Sequence, residues 1–160
     1  MSKTILVVDD SEDDIVLLQH VFNMARVANP VIVLRDGEAA LAYLKGEAEF
    51  ADRVKYPVPA VVMLDLKMPR IDGFEVLQWI KNQPHLKQML VIVLSVVQDV
   101  RQINRAYELG AKSFLTKPCG AEDFSNLMKT YQGYWALADS QENVTTRSPS
   151  GSAYGSDKVS

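Results

Sequence analysis

The sequence predicts an α/β fold: a doubly wound parallel sheet of five strands, with helices on both faces. Three observations predict it. Short apolar runs, rich in valine, isoleucine and leucine, recur five times. The segments between them carry apolar residues at three- and four-residue steps, the period of a helix with one buried face. Each run stops on a polar side chain. Strands alternating with helices imply a parallel sheet covered on both sides. Right-handed crossovers leave few topologies for such a chain, and a doubly wound one fits best.

The elements follow in order. Ile5-Leu6-Val7-Val8 reads as a buried strand ended by Asp9-Asp10. Ile15, Leu18, Phe22 and Ala25 then mark a helix. Ser11 is its expected N-cap, and Glu12, Asp13 and Asp14 lie in a first turn where the helix dipole favours negative charge. Val31 to Leu34 is a second strand, and Asp36-Gly37 opens a helix through Ala40, Leu41 and Leu44. The connection from Lys45 to Pro59 is long and carries Pro57 and Pro59; it reads as an extended helix end plus a surface loop. Ala60 to Leu64 is a third strand ended by Asp65, and Phe74, Leu77 and Ile80 mark the next helix. Leu90 to Leu94 is a fourth strand ended by Ser95. Ile103, Ala106, Tyr107 and Leu109 form a helical face stopped by Gly110. Ser113 to Thr116 is a short fifth strand ended by Lys117-Pro118. A last helix is expected from Ala121 to Ala136, with Phe124, Leu127, Met128 and Tyr131 inward.

Of 160 residues, 48% are hydrophobic, enough for one domain with a real core. The expected domain spans residues 1–138. Residues 139–160 are rich in serine and poor in apolar groups, and are expected to form a disordered tail without an output domain. The net charge is −3, and basic residues are scattered, which gives no footprint for nucleic acid. The single cysteine, Cys119, excludes an intramolecular disulfide and a multi-cysteine metal cluster, and reads as a small packed residue. No apolar stretch approaches the roughly 18 residues of a membrane span, and the N-terminus has no signal-peptide pattern. A cytoplasmic protein is expected.

The chemistry-bearing residues all sit where a strand ends. Asp9 and Asp10 follow the first strand, Asp65 the third, Ser95 the fourth and Lys117 the fifth. In open α/β sheets these ends face one crevice, where ligands bind. In a flavodoxin-like strand order, 2-1-3-4-5, the first and third strands are neighbours and their carboxylates meet. Carboxylates at close range repel, and Mg²⁺ with oxygen ligands relieves that. A metal ion and a lysine together suit phosphoryl transfer, and a carboxylate can be its nucleophile. Ser95 could donate to a phosphoryl oxygen. No Walker-type loop supports nucleotide binding. Taken one by one, each residue has a plainer role as cap, turn or solvated side chain. The functional case is the coincidence of four strand ends.

With these residues in place, the sequence resembles the receiver domain of two-component response regulators. The matching stretches are Ile5-Leu6-Val7-Val8-Asp9-Asp10, Leu64-Asp65-Leu66-Lys67-Met68-Pro69-Arg70-Ile71-Asp72-Gly73, Ser95, and Phe114-Leu115-Thr116-Lys117-Pro118. They cover residues 4 to about 136. Leu34-Arg35-Asp36-Gly37-Glu38-Ala39-Ala40-Leu41-Ala42-Tyr43-Leu44, the long loop after it and Tyr134-Trp135 are similar to the small single-domain regulators that serve phytochrome kinases.

The resemblance implies that Asp65 accepts a phosphoryl group from a sensor histidine kinase. It implies Mg²⁺ on Asp10, Asp65 and the backbone carbonyl of Lys67, with Asp9 mostly through water. Lys117 would pair with the phosphoryl group, preceding a cis bond to Pro118. Ser95 and Phe114 would switch, changing the surface of the fourth helix, fifth strand and fifth helix. The chemistry is self-directed, so no enzyme with a separate substrate is implied. Output would pass by binding to a downstream protein or a phosphotransfer domain. A homodimer is a further expectation, from Tyr131, Tyr134 and Trp135. Two departures stand out. The residue after Ser95, usually small in the family, is Val96, followed by Val97, and a β-branched side chain at 96 is expected to crowd the phosphoryl group or slow its hydrolysis. Phe114 lacks a hydroxyl, so a switch partner must read packing. Val96 keeps open a second reading, a constitutive interaction module without regulated phosphorylation. A metal-dependent phosphatase is the weakest alternative, because no further general acid accompanies Asp65.

Overall fold

The computed structural model describes residues 3–96 and 99–138. The expected tail, residues 139–160, and Val97 lie outside them. Five strands form one sheet: β1 (Ile5–Val8), β2 (Val31–Leu34), β3 (Val61–Asp65), β4 (Leu90–Ser95) and β5 (Ser113–Thr116). All neighbours are parallel, in the order β2-β1-β3-β4-β5. Five α-helices connect and cover them: α1 (Glu12–Met24), α2 (Gly37–Lys45), α3 (Gly73–Lys81), α4 (Val100–Glu108) and α5 (Ala121–Thr130). The doubly wound fold expected from the sequence is therefore present.

The period-two alternation of strand side chains divides the core in two. Leu6, Val8, Val62, Leu64, Val91 and Val93 face one side and pack on Ala40, Tyr43 and Leu44 of α2 and on Phe74 and Leu77 of α3. Ile5, Val7, Val61, Met63, Ile92 and Leu115 face the other, against Leu18 and Phe22 of α1 and Phe124 and Leu127 of α5. Both faces of β1, β3 and β4 are sealed, which is why these strands read as unbroken apolar runs. The sealed sheet holds the strand ends rigid, and those ends carry the site.

Four expectations need correction. Asp65 and Ser95 belong to β3 and β4 as their last residues, rather than following them. The long connection after α2 is not an extended helix end. The chain leaves α2 at Gly46, whose φ of 71° is the left-handed conformation that glycine adopts without strain. It then makes one 3-10 turn, Ala48–Phe50, and buries Phe50 against Tyr43 and Tyr56. Those aromatics make the loop a packed element.

The helical face expected on α4 is only partly buried: Ala106 is enclosed, whereas Tyr107 is 45% exposed. The last helix stops at Thr130, not Ala136. Tertiary pairing takes the following residues from the helix. The Ala28 amide donates to the Ala136 carbonyl at 2.6 Å, and the Ala138 amide to the Arg26 carbonyl at 2.8 Å. Buried Asn29 clamps this return strand, donating to the carbonyls of Lys3 and Tyr134 and accepting from the Ala136 amide. Trp135 reaches the core from here and packs edge-on against Phe124, 5.4 Å between centroids.

Candidate functional site

The carboxyl ends of β1, β3, β4 and β5 converge, as the strand order requires. Asp9 follows β1 and is buried; its carboxylate accepts from the Ser11 amide at 3.0 Å. Asp10 is exposed beside it. Asp65 closes β3, buried, and accepts from the Lys67 amide at 3.3 Å. One oxygen from each of Asp9, Asp10 and Asp65 lies within 4.8 Å of the others. Two carboxylates at that separation repel by roughly 3 kcal/mol at an effective dielectric constant of about 20.

The Lys117 ammonium lies among them with its side chain 9% exposed. Nζ is 2.7 Å from Asp9, 3.0 Å from Asp14 and 3.5 Å from Asp65. Burial pushes this lysine down, but hydrogen bonds to Asp9 and Asp14 and the charges of Asp65 and Asp9 outweigh it. Its basicity rises above the ordinary value, so it stays a cation. Asp65 moves up, to about 6. Burial is the main cause; the Lys117 charge opposes it and the Asp9 charge adds to it. At neutral pH Asp65 is still mostly ionised, a compact anion with a cation beside it.

The backbone around Asp65 is tightly approached. A Cβ on Gly73, the first residue of α3, would sit 2.4 Å from the Asp65 carbonyl oxygen and 2.7 Å from the Leu66 Cα. Only glycine lets α3 start against the end of β3. A capping box between Asp72 and Glu75 fixes that start. Arg70 ties the same loop to α2 through Glu38, at 2.6 Å.

Ser95 is buried at the end of β4, and the Lys117 amide donates to its carbonyl at 3.0 Å. The Lys117–Pro118 bond is cis. Phe114 lies opposite Val93 in the β4–β5 pairing, half-buried and packed on the α2–α3 side of the sheet. Val96 is 61% exposed, its side chain largely in solvent. The Cys119 thiol is raised to about 11 by burial and by Asp123, which leaves it protonated and in keeping with a packed residue.

One site residue escaped the sequence reading: Asp14. Its place in the first turn of α1 accounted for its charge, and nothing local linked it to a lysine 103 residues away.

The donor set suits a hard divalent cation. All three clustered side chains offer oxygen, and exposed Asp10 leaves the solvent side open for the waters Mg²⁺ retains. No described helix is long and apolar enough to cross a membrane.

The fold and this cluster are those of a receiver. The family model for the response regulator receiver domain matches residues 5–129, and the chain belongs to that family. Response regulator Rcp1 of Synechocystis sp. is 35% identical over 133 residues, 83% of this chain and 88% of that protein. The bacteriophytochrome response regulator AtBRR is 36% identical in structural alignment, with a TM-score of 0.75 over 87% of this chain and 99% of that one. The phosphorylated cyanobacterial phytochrome response regulator RcpA is 32% identical, with a TM-score of 0.72 over 87% and 100%. The chain is thus a receiver domain, similar to phytochrome response regulators.

Proposed function

We propose that this receiver accepts a phosphoryl group on Asp65 from a sensor histidine kinase, of phytochrome type, and signals by protein binding. One observation carries the reading: Asp65 ends β3 within one cluster with Asp9 and Asp10, 3.5 Å from the Lys117 ammonium. Among relatives, RcpA was solved phosphorylated and Rcp1 in a Mn²⁺-bound form, which supports both the modification and the metal.

An Asp65 carboxylate oxygen attacks the phosphorus of the donor's phosphohistidine. The O–P bond forms as the P–N bond breaks, and the electron pair returns to the imidazole nitrogen. Lys117 neutralises charge on the phosphoryl oxygens, and Ser95 donates to one of them. Asp10, Asp65 and the Lys67 carbonyl, with Asp9 through water, would hold Mg²⁺, which would supply further charge neutralisation. Hydrolysis later breaks the O–P bond and restores the carboxylate. The phosphorylated state repositions Ser95 and Phe114, and the α4–β5–α5 surface changes with them. A cytoplasmic location and a downstream protein or phosphotransfer partner belong to this reading, as does a homodimer through the aromatic set of Tyr131, Tyr134 and Trp135.

The test is labelling by acetyl phosphate, followed by intact mass. Label is expected with Mg²⁺, and neither without it nor in Asp65→Asn. Equal labelling of the variant refutes the proposal. Val96 beside Ser95 motivates the constitutive module as second reading, and wild type that takes no label and binds no Mg²⁺ would favour that one.

A further inference from the structure

The two short contacts of the Lys117 ammonium are to Asp9 and Asp14, not to Asp65. Asp14 is the third residue of α1. Its amide donates to the Ser11 cap at 3.3 Å while its carboxylate accepts from Nζ at 3.0 Å. Its side chain is 30% exposed, so the pair is partly desolvated, and that of Lys117 is 9% exposed. An ammonium has three donors. Here Asp9 and Asp14 take two at good distance, and the acceptor is left with a longer contact of 3.5 Å.

We propose that Asp14 is a positioning residue that competes with the acceptor for Lys117: it holds Nζ toward α1 in the unmodified protein and gives it up when Asp65 gains an anionic group. This rests on the reading of Asp65 as acceptor. The competition lowers the site's affinity for the anion, because occupying it opens an existing ion pair. It also makes the first turn of α1 sense the state of Asp65 directly, through one lysine.

The experiment uses the full chain and beryllofluoride, an uncleavable stand-in for the phosphoryl group, at saturating Mg²⁺. Asp14→Asn keeps the shape and removes the charge; Asp14→Ser is a second charge-removing variant. Both are expected to bind beryllofluoride roughly two- to five-fold more tightly than wild type, the range a partly exposed ion pair is worth. The gain is expected to vanish in a Lys117→Met background, a dependence that a merely structural role for Asp14 would not show. In the metal-free protein, urea unfolding of wild type, Asp14→Asn, Lys117→Met and the double variant is expected to show favourable coupling between positions 14 and 117.

Unchanged or weaker beryllofluoride affinity in both variants overturns the inference, as does an equal gain without Lys117 or the absence of coupling. Wild type that binds no beryllofluoride overturns the acceptor reading, and this inference with it. Wild-type binding with an inert Asp14 overturns this inference alone.

Discussion

Replacing Asp65 by asparagine removes a carboxylate that burial and Asp9 hold at about 6, against an ordinary value of 3.8. The folded wild type binds that proton more tightly than the unfolded chain does. Wild-type stability from this group is full below about pH 4, falls as pH rises to about 6, and is level above. The gap corresponds to about 3 kcal/mol. Asparagine keeps the shape, cannot ionise, and leaves Lys117 its shorter contacts to Asp9 and Asp14. The variant and wild type should therefore have similar stability near pH 4. The variant should be the more stable by up to about 3 kcal/mol near pH 7.5, with no divalent cation present. Urea unfolding with a chelator across that range measures the difference. A difference that does not change with pH, or that is larger in acid, refutes the electrostatic account of the cluster.

Two further substitutions probe how the fold holds the site and its edge. Gly73→Ala places a methyl against the Asp65 carbonyl and Leu66, and should cost about 1–3 kcal/mol or more in urea unfolding as well as slowing labelling. Normal stability would mean that the α3 start is not tightly seated on β3. Asn29→Ala removes three hydrogen bonds between the N-terminal segment, the loop before β2 and the return strand. It should cost about 2 kcal/mol and speed amide exchange at Ala28 and Ala138. Unchanged exchange would show that the return strand holds without Asn29.

The strands, their order and the strand-end carboxylates were legible because sealed parallel strands leave a plain mark: apolar runs cut off by a charge. Helix ends were legible where a local signal exists, as with Ser11 and Asp36, each of which caps through its own side chain. The end of α5 was not legible. Tyr131, Tyr134 and Trp135 keep helical spacing, but the hydrogen bonds that end the helix come from residues 26 to 29, distant in the chain. The same limit hid the packed loop around Phe50, and it hid Asp14. A carboxylate in the first turn of a helix satisfies a local rule, so its second partner leaves no trace in the sequence. The coincidence at Asp9, Asp10, Asp65 and Lys117 was visible because the topology, once inferred, brings all four ends to one edge.

The most direct measurement locates the modification itself. After incubation with acetyl phosphate and Mg²⁺, borohydride reduction turns an acyl phosphate on aspartate into homoserine, which peptide mass spectrometry places in the chain. The account predicts homoserine at position 65 alone, and none when Mg²⁺ is withheld. Homoserine at Asp9, Asp10 or Asp14, or none under any condition, would contradict it.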